Sequence, residues 1–153
     1  MKKILILSGG YSKEKEISRA SAKSIYKTLK DKYKILVCEP DSEFISKIKK
    51  FKPDVVYNSL HGRFGEDGYI QALLENLKVK YTHSGVNSSS IAMDKEISKR
   101  IFIRNNIRTP KFLKLNNFDL IKNKNTLLKN IETKLGFPVV IKPVDEGSSV
   151  DVN

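Results

Sequence analysis

The chain has 153 residues, 39% hydrophobic and 30% charged, the balance of a globular protein with its own core. No apolar run reaches the roughly 18 residues of a transmembrane helix, and the single cysteine, Cys38, excludes an internal disulfide and fits a reducing compartment such as the cytoplasm. The net charge of +12 comes from lysines spread over the whole length, beside abundant Asn and Ile, so it reads as the drift of an AT-rich genome and not as a nucleic-acid patch.

Two lysines and an apolar stretch at the start resemble a signal peptide, but Ile4–Leu7 is too short for its hydrophobic region. Lys3–Ser8 reads as a buried strand ended by Gly9-Gly10. Helical spacing then runs from about Lys13 to Lys30, with Ile17, Ala20, Ser21, Ser24, Ile25, Thr28 and Leu29 as the inward stripe. Lys34–Glu39 is a second strand, Ser42–Phe51 a short helix, and "DVVYNSL" after Pro53 a third strand leading into the loop "HGRFGEDG". Ile70, Leu73, Leu74 and Leu77 then give an amphipathic helix that Asp67 is placed to cap. Val79–Thr82 is a fourth strand.

This βαβαβαβ order predicts an α/β fold with a doubly wound, mostly parallel sheet, whose ligands sit outside the carboxyl ends of the strands. Gly9–Tyr11, His61–Gly68 and Gly85 all fall at that edge. The style changes near Val86, which divides the chain into residues 1–86 and 87–153. In the second part, a helix capped by Asn87 or Ser88 carries Met93, Ile97 and Ile101 on one face. "KFLKL" is a short strand, residues 119–135 a helix with Leu120, Leu127, Leu128, Ile131 and Leu135 in register, and "FPVVIKPV" a last strand.

Three loops carry candidate chemistry. In "SGGYSKEKEIS", Glu14 and Glu16 either complement the dipole of the following helix, or one of them binds a cationic group such as an ammonium. The segment lacks a G-x-G-x-x-G phosphate fingerprint. His61, at the end of a buried strand and before a glycine, faces the cleft, where a histidine can donate to a carboxylate or move a proton; His83 reads as structural. Lys142 ends an apolar run and precedes Gly147-Ser148-Ser149, whose N–H and hydroxyl donors suit a phosphate. The alternative for Lys142 is an edge-strand lysine reaching solvent, and Lys95 alone looks like a helix-surface lysine.

Taken together and in order, "GGYSKEKEIS", "LHGRFGEDGYIQALLE", "YTHSGVNSSSIAMDK" and "GFPVVIKPVDEGSSV" resemble the D-alanine–D-alanine ligases, ATP-grasp enzymes of peptidoglycan precursor synthesis. The resemblance extends over essentially the whole chain. It implies that ATP phosphorylates one D-alanine carboxylate and that the amine of a second D-alanine attacks the acyl phosphate. It assigns Glu14 to the ammonium of the first D-alanine, with Ser148 in the same network and His61 beside that substrate. Lys95 and Lys142, with Gly147 and Ser149, fall to the ATP phosphates. It further implies Mg²⁺ held by later residues, a cytoplasmic homodimer, and no nucleic-acid or membrane partner. By resemblance, residues 87–153 are the incomplete start of an ATP-grasp domain and the chain is an amino-terminal part, inactive alone. Tyr11, His83 and Asp151 depart from the family pattern, which commonly has a small hydroxyl residue, glycine and glycine there. The alternatives are a D-alanine–D-lactate type of ligase and a non-catalytic, basic nucleic-acid-binding domain.

Overall fold

The computed structural model describes residues 1–116, 118, 121 and 124–146. In chain order the elements are β1 (Lys3–Leu7), α1 (Lys15–Leu29), β2 (Lys34–Cys38), α2 (Phe44–Phe51), β3 (Val55–Asn58), α3 (Tyr69–Asn76), α4 (Val86–Met93), α5 (Lys95–Arg104) and α6 (Lys124–Lys134). The strands form one parallel sheet in the order β2-β1-β3. Because β1 is central, both its faces are covered, and "ILIL" is buried throughout. Successive side chains alternate. Leu5 and Leu7 pack with Phe44 and Ile48 of α2 and Ile70 and Leu74 of α3 on one side. Ile4 and Ile6 pack with Ala22, Ile25 and Leu29 of α1 on the other. Helices therefore cover both faces, as a doubly wound sheet requires.

Several local expectations change in the folded chain. The inward face of α1 keeps Ile25 and Leu29 of the expected stripe but exposes Ile17 (51%), Ala20, Ser24 and Thr28 and buries Ser18 and Ala22 instead. At Ser18 the Ser59 hydroxyl donates to the backbone carbonyl at 3.2 Å, while the Ser18 hydroxyl has no partner among the described residues. Val79–Thr82 makes one parallel bridge, Tyr81 to Val56, and no extended ladder. The helix expected after Asn87 begins instead at Val86 behind Gly85 and is split at Asp94. There the backbone turns extended, and the Asp94 carboxylate accepts the Ile97 N–H at 2.8 Å, capping α5. The split leaves Ile97 and Ile101 exposed.

Neither 111–115 nor 137–144 forms a strand among the described residues, and Val140 and Ile141 are exposed. An apolar run becomes a strand only when a neighbour takes its N–H and C=O groups. Here the Val144 carbonyl accepts instead from the Lys95 N–H, at 2.9 Å. The expected helix over 119–135 is present as α6, with Ile131 buried, while Leu120 lies outside the described residues.

Candidate functional site

The connections leaving β1 and β3 at their carboxyl ends meet in one place. After β1 the chain passes Gly9-Gly10 and enters α1 with Glu14 at the N-cap position. After β3 it enters the loop 61–68, which is held by side chains from its own flanks. The buried Asn58 and Gln71 amides both donate to the Gly65 carbonyl, at 2.8 and 3.0 Å. Glu66 accepts from the Gly62 N–H at 2.7 Å, and Asp67 accepts from Phe64 N–H at 2.8 Å and Tyr69 N–H at 3.1 Å. Gly68, not Asp67, holds the cap position of α3 and no side chain caps it; Asp67 stands one residue earlier and accepts the N–H of Tyr69, the first residue of the helix.

The two carboxylates at the start of α1 are not equivalent. Glu16 is exposed and ion-paired to Arg19 at 2.6 Å; Arg19 also binds Glu39 at 2.7 Å. The Glu39 hydrogen bond and the charge of Glu16 raise the pKa of Arg19. Glu14 is the opposite case: it is only 3% exposed, and its Oε1 has no hydrogen-bond partner among the described residues. A buried carboxylate oxygen without a donor is costly. Of the two glutamates, Glu14 is the one with a buried oxygen, Oε1, that lacks a partner among the described residues.

Glu14 faces the 61–68 loop. A Cβ placed on Gly62 would overlap Glu14 Oε2, so the loop backbone passes directly against the carboxylate. His61 is half-buried, with Nε2 3.4 Å from Ser21 Oγ of α1 and Nδ1 3.9 Å from Glu66 Oε1. The fold therefore brings Glu14 and His61 to one edge of the sheet. His83 lies away from them, exposed, at a positive φ of 86°, with its ring edge-on to Tyr57.

Two contacts carry the later segment towards this edge. Arg63 of the loop pairs with Asp145 at 3.3 Å. The Lys95 ammonium, at the start of α5, donates to the carbonyls of Val144 and Glu146. Lys95 is thus no free surface lysine: it supports the turn that runs into Gly147. Lys142 is exposed. Gly147, Ser148, Ser149 and Asp151 lie outside the described residues. No three His, Cys, Asp or Glu side chains converge as a metal site among the described residues.

Sequence reasoning missed Ser12, Asn58, Arg63 and Gln71. Gln71 left a faint signal, a polar residue beside the apolar stripe of α3. The partners of Ser12 and Arg63 lie 49 and 82 positions away (61 − 12 and 145 − 63), and nothing local announces them.

A parallel sheet with Glu14, whose buried Oε1 is unpaired among the described residues, and His61 outside its strand ends marks a domain of the α/β class, in which ligands sit at that edge. The particular family follows from comparison with known proteins. Residues 39–84 match the family model "D-ala D-ala ligase N-terminus", and residues 101–153 match "D-ala D-ala ligase C-terminus". The D-alanine–D-alanine ligase of Pelagibacter ubique is 60% identical over 99% of this chain and 49% of its own length. That of the Wolbachia of Brugia malayi is 46% identical over 98% of this chain and 42% of its own. Among solved structures, the D-alanine–D-alanine ligase of Bacillus anthracis superposes with a TM-score of 0.81 at 34% identity, covering all of this chain and 49% of that one. The same enzyme complexed with ATP gives 0.78 at 32% identity, over 99% of this chain and 50% of that one. The chain belongs to the D-alanine–D-alanine ligase family and spans about half the length of the curated relatives it matches.

Proposed function

We propose that the protein carrying this chain joins two D-alanine molecules, with ATP as co-substrate, to give D-alanyl-D-alanine for peptidoglycan precursor synthesis. The observation that supports this reading most is the buried Glu14 carboxylate with Oε1 unpaired. An ammonium satisfies it with a charge-assisted hydrogen bond, and an amino acid brings that ammonium together with the carboxylate to be activated. Glu14 holds the amine of the first D-alanine, and His61 stands beside the same molecule. Lys95 and Lys142, with Gly147 and Ser149, hold the ATP phosphates, and Ser148 joins the Glu14 network. The γ-phosphoryl group passes to a carboxylate oxygen of the first D-alanine. The second D-alanine's amine then attacks the carbonyl carbon, loses a proton and expels phosphate. Lysine charge beside the transferring group offsets the charge that develops there.

In the same reading, residues 1–86 bind the first substrate and residues 87–153 begin the nucleotide-binding domain. Mg²⁺ accompanies the ATP phosphates in this reading. The working form is a cytoplasmic homodimer without a nucleic-acid partner. No helix among the described residues is long and apolar enough to cross a membrane.

The test is phosphate release by the protein expressed from its complete gene, with Glu14→Gln as the perturbation. Loss of one charge-assisted hydrogen bond, worth about 1.5–3 kcal/mol, raises the KM for D-alanine at least about tenfold. An unchanged KM removes the assignment. Offering D-lactate and other acceptors to the same enzyme identifies the second substrate.

A further inference from the structure

We propose that Ser12 is a positioning residue for the first-substrate site, its hydroxyl fixing the Glu14 carboxylate relative to His61; this rests on the ligand assignment above. Ser12 sits between β1 and α1, half-buried. Its Oγ accepts the Glu14 N–H at 3.1 Å and donates its proton to the His61 carbonyl at 2.7 Å. One oxygen thus ties the backbones of the two residues that face the amino acid. They stand on different elements, 47 positions apart in the chain (61 − 14).

The first of these bonds is ordinary for a helix start, where a serine hydroxyl takes the N–H two residues on. A helix start needs nothing more. The second bond is what the start does not require. It spends the hydroxyl proton on a carbonyl 49 residues away, at the residue whose ring borders the site. Asn58, Gln71, Glu66 and Asp67 also hold the 61–68 loop from within the β3–α3 unit, Arg63 pairs with Asp145, and the His61 ring lies 3.4 Å from Ser21 Oγ of α1. Ser59 and Ser21 link this region to α1 further along the helix, at 3.2 and 3.4 Å; the Ser12 hydroxyl makes the shortest of these links, 2.7 Å, and makes it to the loop backbone at the level of Glu14. The side chain is also pressed against the loop: a Cβ on Gly62 would stand 3.3 Å from Ser12 Cβ. Because the substrate amine lies between a carboxylate on α1 and a loop from β3, a shift of about 1 Å between the two is enough to weaken it severely.

A role through Glu14 and a role in starting α1 are separable. Ser12→Ala and Ser12→Gly remove the hydroxyl, glycine being a fair residue at helix starts, and Ser12→Thr keeps it. In the protein expressed from its complete gene, the hydroxyl-free variants raise the KM for D-alanine by about tenfold. The KM for ATP stays within about twofold, and Ser12→Thr restores the D-alanine value to within about threefold. Since Ser12 acts through Glu14, adding Ser12→Ala to Glu14→Gln costs less than about a further twofold. Equal rises in both KM values, full additivity with Glu14→Gln, or no rescue by threonine overturns the proposal and leaves Ser12 a helix starter. A variant that fails to fold, seen as a lost thermal transition in both Ser12→Ala and Ser12→Gly, overturns it likewise. An unchanged D-alanine KM in Glu14→Gln alone instead removes the ligand assignment on which the proposal rests.

Discussion

Replacing Gly62 by alanine separates the geometry of the site from the stability of the fold. Gly62 has φ +69°, and a Cβ there would overlap Glu14 Oε2 and crowd Ser12. The backbone strain of an L residue at this φ is about 1 kcal/mol. The overlap falls on the tip of a flexible side chain, so it is relieved by moving the carboxylate about 1 Å rather than by unfolding. A charge-assisted hydrogen bond made by that carboxylate is then lost, about 1.5–3 kcal/mol, or roughly ten- to 150-fold in affinity. Gly136→Ala is the control. Gly136 has φ +78° with nothing within 4 Å of an added Cβ, so it carries the strain without the overlap.

The expected outcome is that both variants lose about 1 kcal/mol in urea unfolding. Only Gly62→Ala loses calorimetric binding of D-alanine, by at least about tenfold. If Gly62→Ala binds D-alanine as tightly as Gly136→Ala does, the carboxylate is not where the ligand's amine goes, and the reasoning from the buried oxygen fails.

Three other outcomes are expected. The Arg63–Asp145 pair is exposed on both sides; Arg63→Ala therefore costs less than about 1 kcal/mol of stability, and the difference disappears in about 1 M salt. Burial pushes the Cys38 thiol from 9.0 up to about 11, so the fold favours the protonated form. That contribution is intact below pH 9, is lost as the pH rises through about 11, and is removed by Cys38→Ala, as a urea midpoint series across this range will show. Glu96 of α5 is held below its ordinary 4.5, chiefly by the hydrogen bond from Lys114 and then by that from Arg100. The stability it adds is present above pH 4.5 and fades as the pH falls through its lowered value, so Lys114→Ala flattens the acid limb of the stability curve.

Much of the fold was legible because hydrophobic periodicity is a local signal. "ILIL", "VVYN" and the Ile70–Leu74 stripe each announce a buried element without reference to the rest of the chain, and their order is enough to imply a parallel sheet with ligands at its carboxyl edge. The residue types at that edge, a pair of glutamates and a histidine before glycine, also stood in plain view. What the letters left open was which glutamate faces the ligand. Glu14 and Glu16 are two residues apart in the same helical turn with the same chemistry.

Tertiary contacts decided that choice, because burial and pairing depend on what arrives from elsewhere. Arg19 and the open surface neutralise Glu16, while the 61–68 loop covers Glu14 and gives its Oε1 no donor. The same holds where the helical stripe was misplaced. Ser18 is buried and Ile17 half-exposed, although Ile17 is the more hydrophobic, because the way α1 sits on the sheet decides which side chain is covered. The sequence by itself therefore determined the elements, their order and the kind of chemistry available. Only the folded chain determined which side chains were left unsatisfied at the site and that Ser12 ties two distant loops together, since neither burial nor a hydrogen bond across 49 residues is a property of any local stretch.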